Sequence, residues 1–88
     1  MSELMVSYRK AVLADAPSIQ SFQQAMAWET EKLKLDETTL QKGVHAVFEN
    51  SERGQYHVCV CGADVIGSLL LTTEWSDWRN GTVWWLHS

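Results

Sequence analysis

The sequence has few of the residues from which disulfide frameworks and metal sites are built. It contains two cysteines and three histidines among 88 residues. Cys59 and Cys61 are separated by one residue, which places both on one face of a strand, where disulfide geometry is poor. Their spacing also differs from the CxxC of redox and zinc sites. We therefore expect two reduced thiols and no metal site.

Positive charge is also scarce. Seven lysines and arginines are scattered along the chain against eleven acidic residues, which gives a net charge of −4. Because phosphate binding needs a basic face, this balance argues against nucleic acid as a main partner, and no polybasic segment suggests a membrane surface. No signal peptide or apolar run of transmembrane length is visible. We expect a cytoplasmic protein, whose acidity would suit a cationic amine as a partner.

Aromatic side chains, in contrast, are plentiful. The chain contains five tryptophans and is 45% hydrophobic, a composition typical of a folded domain rather than a disordered segment. One small domain is expected at this length, near the size at which burying enough apolar surface becomes difficult. Each tryptophan covers roughly 150–250 Å², so we expect a core only if most of these rings are buried. Rings left exposed should find a partner.

The first third of the chain predicts a strand followed by an amphipathic helix. The run Met5–Ala11 has the character of an extended segment. Asp15 is expected as the N-cap of the helix, with Pro17 in its first turn and an end near Thr30. The apolar face with helical spacing consists of Ile19, Phe22 and Met26.

A second amphipathic helix is predicted after a connection at residues 32–35. Asp36 is expected to cap it, and the stretch Asn50–Gly54 ends it. Its apolar positions again recur at helical spacing, and they are Leu40, Val44, Val47 and Phe48.

Three strands are predicted in the remaining part, which makes the order β-α-α-β-β-β. They are Gln55–Cys61, Asp64–Trp75 after a tight turn at Gly62-Ala63, and Thr82–Ser88 after an Asn80-Gly81 turn. The alternation in the first of them places Tyr56, Val58 and Val60 on one face. This order predicts an α+β fold with two helices on a mainly antiparallel sheet.

Two of these strands carry apolar residues on both faces. In Asp64–Trp75 this pattern predicts a central strand covered on both sides, with Gly67 at a bulge or a close backbone approach. In the last strand Trp84 and Trp85 point to opposite faces, so we expect at least one of them in the core. An apolar strand with nothing after it would be an exposed edge, so the chain reads as if cut within a sheet.

The same order of elements resembles the N-terminal half of the GNAT acetyltransferase fold. Several phrases carry the resemblance, and its last ones are similar to the polyamine-acetyltransferase branch. These phrases are Tyr8-Arg9-Lys10-Ala11 with Asp15-Ala16-Pro17-Ser18-Ile19, Ala27-Trp28-Glu29-Thr30-Glu31 with Leu35-Asp36, Val65-Ile66-Gly67-Ser68-Leu69-Leu70, and Glu74 to Gly81 with Trp84-Trp85. Together they span essentially the whole chain.

One motif of this family does not occur in the sequence. Its members hold the acetyl-CoA diphosphate in a glycine-rich (R/Q)-x-x-G-x-(G/A) turn at a helix N-terminus, where backbone N–H groups and the helix dipole bind the anion. The five glycines here are isolated from one another. The residue that acts as the acid in this family, often a tyrosine in the C-terminal half, is missing as well. The resemblance thus implies one truncated GNAT-like domain, residues 1–88, with no cofactor of its own and acetyl-CoA only in complete relatives.

The resemblance points to two segments as the acceptor side, the loop between the helices and the strand–loop region before the last strand. It implies that an amine is bound beside acidic and aromatic groups and deprotonated before it attacks the thioester. The substrate-binding candidates are Trp28, Glu29, Glu31, Trp75, Asp77 and Trp78, and the catalytic candidates are Glu29, Glu74 and His87. For each, a plain alternative stays open: solvated carboxylates, packed tryptophans and a surface histidine.

Three readings of the whole chain follow. The first is an acceptor-side half of an N-acetyltransferase, inactive until a C-terminal half completes it. The second is an interaction module that forms a homodimer through the exposed last strand, and the third is a small-amine binder without catalysis. The sequence leaves open whether Ser88 is a natural terminus.

Overall fold

A computed structural model describes residues 6–87, so the predictions that fall on Met5 and Ser88 lie outside the described residues. The elements follow the predicted order. They are β1 (Val6–Lys10), α1 (Ala16–Glu31), α2 (Glu37–Glu49), β2 (Gln55–Cys61), β3 (Asp64–Ser76) and β4 (Gly81–His87), with short 3₁₀ turns at Leu13–Asp15 and Ser51–Arg53.

The four strands form one antiparallel sheet in the order β1-β2-β3-β4. Gly62, at a φ of 61°, makes the tight turn between β2 and β3. The predicted irregularity at Gly67 is confirmed, because the pairing shifts from Cys59–Gly67 to Val60–Val65 and leaves one extra residue on β3. The α+β prediction with two helices and an antiparallel sheet is confirmed as well.

The two helices begin in different ways. Asp36 caps α2 as predicted: its Oδ2 accepts hydrogen bonds from the Thr39 backbone N–H at 2.8 Å and the Thr39 hydroxyl at 2.7 Å. Asp15 occupies the N-cap position of α1, but its side chain does not cap that helix. The carboxylate instead accepts from the Val12 N–H at 2.8 Å and pairs with Arg9. The predicted capping role of Asp15 is therefore wrong, because a nearby guanidinium and the 3₁₀ turn hold the side chain.

Both helices pack on one face of the sheet and build the core there. Ile19 of α1, Val44 of α2 and Val58 of β2 have at most 2% of their surface exposed. Tyr56 lies beside them, with its ring centroid 5.6 Å from that of Phe48. The apolar faces predicted for α2 and β2 thus meet in the core, and from the face predicted for α1 Ile19 joins them.

The opposite face of the sheet is not covered by any described element. We call it the open face; it carries Tyr8, Leu69, Leu71, Trp75, Trp84 and Leu86. Although β3 is an internal strand as predicted, its expected covering on both sides is wrong, since Trp75 on this face is 63% exposed. The expectation that most tryptophans are buried is wrong too: all five are more than half exposed, Trp84 and Trp85 included.

Candidate functional site

The face of the β3–β4 hairpin that continues the helix-covered side carries a fixed carboxylate. Strand alternation places Thr72 and Glu74 of β3 on this face, next to Trp85 of β4, which pairs with Thr72. The indole Nε1 of Trp85 donates a hydrogen bond to Glu74 Oε2 at 2.8 Å. The Oε1 oxygen makes no hydrogen bond within residues 6–87. Glu74 therefore presents one held and one free oxygen beside an aromatic ring.

His87 lies on the same face of the hairpin, further along it. Its Nε2 is 3.0 Å from the Thr72 hydroxyl, and it pairs with Leu70 across the strands. Glu74 and Leu70 are four positions apart on β3, which is about 13 Å at the rise of a strand. The two catalytic candidates on this hairpin therefore share a face, and the paired Thr72 and Trp85 lie between them.

The three other candidates of the hairpin region lie away from Glu74. Trp75 points to the open face, away from Glu74, because successive side chains of a strand alternate. Asp77 and Trp78 lie in the turn, where the Asn80 N–H donates to the Asp77 carbonyl at 3.3 Å. Trp78 at the tip is 96% exposed. The structure thus brings Glu74 together with Trp85, a residue that the sequence candidates did not include.

The candidates on α1 lie at its exposed C-terminal end. Glu29, Glu31 and Trp28 are all exposed, and Lys32 ends the helix in a left-handed conformation with φ 56°. This conformation holds the Lys32 ammonium 5.4 Å from the centroid of the Trp28 ring. Such an exposed contact is worth about 0.5–1 kcal/mol. A ligand cation on this ring would have to displace the lysine.

The loop that follows is held by one side chain. The Gln24 amide donates to the Leu35 carbonyl at 2.7 Å and accepts from the Leu35 N–H at 2.9 Å. Two hydrogen bonds to one residue fix the loop against α1. Sequence reasoning missed this role, since nothing local to Gln24 indicates a partner eleven positions away.

A second fixed charge pair lies at the other end of α1. Arg9 Nη1 and Nη2 donate to the two oxygens of Asp15 at 2.8 and 3.0 Å. This bidentate hydrogen bonding, supported by the Val12 N–H, holds the pKa of the buried Asp15 carboxyl below its usual range. Because both oxygens are engaged, the pair ties β1 to the start of α1 and leaves Asp15 no free oxygen for a ligand.

The described residues were compared with the requirements of a metal site and of a membrane-spanning helix. Within residues 6–87, no three histidine, cysteine or acidic side chains converge on a point where a metal ion could sit. Cys59 and Cys61 are free thiols. Neither described helix combines the length and apolarity needed to cross a bilayer.

Comparison with known proteins gives a close structural match. A crystal structure of a possible acetyltransferase from Clostridium difficile 630 superimposes with a TM-score of 0.89 and 40% sequence identity. The match covers 98% of this chain and 56% of the other, so the chain spans little more than half of that protein's length. The GNAT-like α+β fold expected from the sequence is confirmed by this likeness.

A more distant match shows the same fold. An integron cassette protein from the mobile metagenome of the Cole Harbour salt marsh has a TM-score of 0.79 at 18% identity. That match covers 88% of this chain and 50% of the other. No family model matches the sequence, and no curated protein matches it either.

Proposed function

We propose that this chain is the acceptor-side, N-terminal part of an acetyl-CoA-dependent N-acetyltransferase that acts on a primary amine, with a polyamine as the favoured class. The observation that carries this proposal is the 40% identity over 98% of the chain to a possible acetyltransferase. The likeness to the polyamine branch rests on the phrase from Glu74 to Gly81 with its following tryptophans.

Glu74 is the residue that we assign to the amine. In the reaction the ammonium must lose a proton before its nitrogen attacks the thioester carbonyl, after which the acetyl group is on nitrogen and the thiol leaves. The free Oε1 of Glu74 can accept an N–H hydrogen bond from the amine, while the Trp85 indole holds the other oxygen in place. Glu29 and Glu31 would supply further negative charge for a substrate with several amines.

The described residues do not fit the diphosphate of acetyl-CoA. An anion site at a helix start needs free backbone N–H groups. At the start of α2, the Asp36 carboxylate already accepts the Thr39 N–H. At the start of α1, Asp15 places a buried negative charge and Pro17 lacks an N–H. We therefore propose that acetyl-CoA is bound by a C-terminal half and that residues 1–88 alone are inactive.

A chimera tests the proposed function. Residues 6–87 would replace the matching part of the Clostridium difficile protein, and acetyl transfer from acetyl-CoA to spermidine would be measured. We expect turnover by the chimera and a loss of at least about 100-fold in the Glu74→Gln variant, the lower end of what a general acid–base group contributes. The Glu52→Gln variant, in an exposed 3₁₀ turn, is the control. A folded chimera whose turnover does not depend on Glu74 would contradict the assignment.

The unpaired edge of β4 favours a second candidate function, a homodimer. Within residues 6–87, β4 has a neighbouring strand on one side only, and Leu86 on it is 69% exposed. Two copies that pair their β4 strands would remove both unpaired edges and set Leu86 of each copy beside the β4 strand of the other. Light scattering should then give a dimer that the Leu86→Lys variant converts to a monomer, while Trp78→Lys in the turn leaves it intact. A monomer at high protein concentration would dismiss the homodimer.

A further inference from the structure

A groove of about 450 Å³ lies between the two helices above β2, within the size range of small-molecule sites. Its walls are mainly apolar: Leu35 comes from the loop, and Leu40 and Val44 come from α2. Tyr56 of β2 also lines it. None of the acceptor-side candidates, from Trp28 to His87, contributes to its lining. The groove borders the loop between the helices, one of the two acceptor-side segments, but it is separate from Glu74, the residue assigned to the amine.

Gly43 leaves one wall of the groove bare. It lies in the middle of α2, one turn after Thr39, and both residues line the groove. Apart from the adjoining residues and backbone of α2 itself, no described atom lies within 4 Å of the position that a Cβ of residue 43 would occupy. A glycine in a helix interior costs roughly 1 kcal/mol relative to alanine. The missing side chain thus lowers helix stability and keeps the groove open.

The charge at the rim of the groove is negative. Asp36 is the one charged residue among its lining residues. Its Oδ2 is used by Thr39, whereas Oδ1 makes no hydrogen bond within residues 6–87. Hydrogen bonding from the Thr39 hydroxyl and N–H lowers the pKa of this carboxyl, so it stays ionised at neutral pH. An apolar groove with one anionic oxygen at its rim is complementary to a cation with an apolar body.

Tyr56 adds a polar group to this apolar lining. The residue as a whole is 7% exposed. No buried side-chain nitrogen or oxygen within the described residues lacks a hydrogen-bond partner, so the unbonded Tyr56 hydroxyl is one that solvent reaches. Burial raises the pKa of the phenol, which keeps it neutral and able to donate. A solvent-accessible hydroxyl in the lining can bond either water or a ligand.

The groove is also held in shape before any ligand arrives. Leu35, which forms its loop wall, is fixed by the two hydrogen bonds to Gln24 described above. Asp36 is fixed by its capping bonds to Thr39. A site whose walls are already positioned loses less conformational entropy when it binds.

We propose that this groove binds a small protonated amine with an apolar body, its ammonium at Asp36 and its apolar part between Leu40, Val44 and the bare wall at Gly43. The proposal does not depend on acetyl transfer. The amine would lie between α1 and α2, separate from Glu74 on the β3–β4 hairpin.

Calorimetric titration with 2-phenylethylamine tests the site, and 2-phenylethanol serves as the neutral probe of the same shape. We expect saturable binding of the amine and weaker binding of the alcohol. Asp36→Asn should weaken amine binding by about two- to fivefold, the range of an exposed ion pair, because asparagine caps helices as well as aspartate does. Gly43→Leu should remove binding by filling the groove, while Gly43→Ala, the matched control for helix stability, should retain most of it.

Other outcomes overturn the proposal. Absence of saturable amine binding, or equal binding by Gly43→Leu and the parent chain, would remove the groove as the site. Binding that is lost in Glu74→Gln but kept in Gly43→Leu would move the amine to the acceptor side, which supports the proposed function and contradicts this one. Equal affinity for 3-phenylpropionate would contradict the role of Asp36. Amide chemical shifts at Leu35 and Val44 that do not move on titration would also contradict it.

Discussion

The two halves of the sheet differ in what covers them. β2 and the neighbouring Leu70 of β3 pack under both helices, and Ile19 and Val58 there are almost completely buried. β4 is uncovered on both of its faces, because Trp84 on the open face and Trp85 on the helix side are both more than half exposed. Apolar residues therefore act as core in the first half and as uncovered surface in the second. The packing that stabilises the fold is thus concentrated in one half of the sheet, whereas the apolar surface that a partner could cover lies in the other.

The strongest test of this comparison removes an aliphatic side chain from each half. Ile19→Ala should lower the free energy of unfolding by about 2–5 kcal/mol, as expected for a fully buried side chain. Leu86→Ala removes a side chain of the same composition but should cost under about 1 kcal/mol, because it is 69% exposed. Denaturant titration of both variants measures the difference. Equal costs would mean that β4 is covered in solution and that the two halves are alike.

The next effect concerns the ion pair that ties β1 to α1. Asp15→Ala leaves the Val12 N–H and the Arg9 guanidinium without their acceptor, and should cost about 1–3 kcal/mol. Asp77→Ala in the exposed turn is the control and should change stability by less than about 0.5 kcal/mol. If Asp15→Ala is as mild as the control, the pair does not hold the covered half together.

The Asp15 carboxyl also makes the free energy of unfolding depend on pH. The folded-state pKa of Asp15 is lowered from 3.8, chiefly by the hydrogen bonds from Arg9. Its contribution is therefore complete above the unfolded value and is lost as pH falls below 3.8 towards the folded value. The difference in unfolding free energy between the parent chain and Asp15→Asn should shrink across that acidic interval. A difference that grows on acidification would contradict the assignment.

A smaller effect, of opposite sign, is expected in α2. Gly43→Ala should raise the free energy of unfolding by up to about 1 kcal/mol, because alanine favours the helix and, apart from the adjoining residues and backbone of α2, its methyl group meets no described atom within 4 Å. Thermal melting measures the gain. Destabilisation would mean that this wall of the groove is occupied in solution.

The smallest effect is expected on the uncovered half. Trp85→Phe removes the exposed hydrogen bond to Glu74 and should change stability by about 0.5 kcal/mol or less. In the chimera, the same change should lower acetyl transfer, because it frees the Glu74 carboxylate to rotate. A large loss of stability with unchanged turnover would assign Trp85 to packing rather than to the site.

The covered half could be predicted from the sequence because local rules determine it. Short sequence patterns predicted the helix cap at Asp36, the inward-facing alternation Tyr56-Val58-Val60 and the turn at Gly62. The sequence also showed apolar residues on both faces of β4. A sequence pattern, however, cannot distinguish a strand that other elements of the chain cover from one that they leave exposed. That is why the burial of Trp84 or Trp85 was predicted wrongly.

The candidate site depended on contacts that no local pattern encodes. The hydrogen bond from Trp85 to Glu74 follows from the pairing register of β3 and β4. The lining of the groove joins Leu35, Gly43 and Tyr56, which come from three elements. The sequence identified Glu74 and Asp36 as residues of interest, but it could not supply their neighbours.

Titration of acetyl-CoA into the 88-residue chain by calorimetry tests the central claim most directly. Asp15 and Asp36 place a carboxylate at the start of each described helix, which disfavours a diphosphate there, so we predict no binding heat, even at concentrations that saturate a complete acetyltransferase. Saturable binding of acetyl-CoA with one site per chain would contradict the claim that these residues form only the acceptor side.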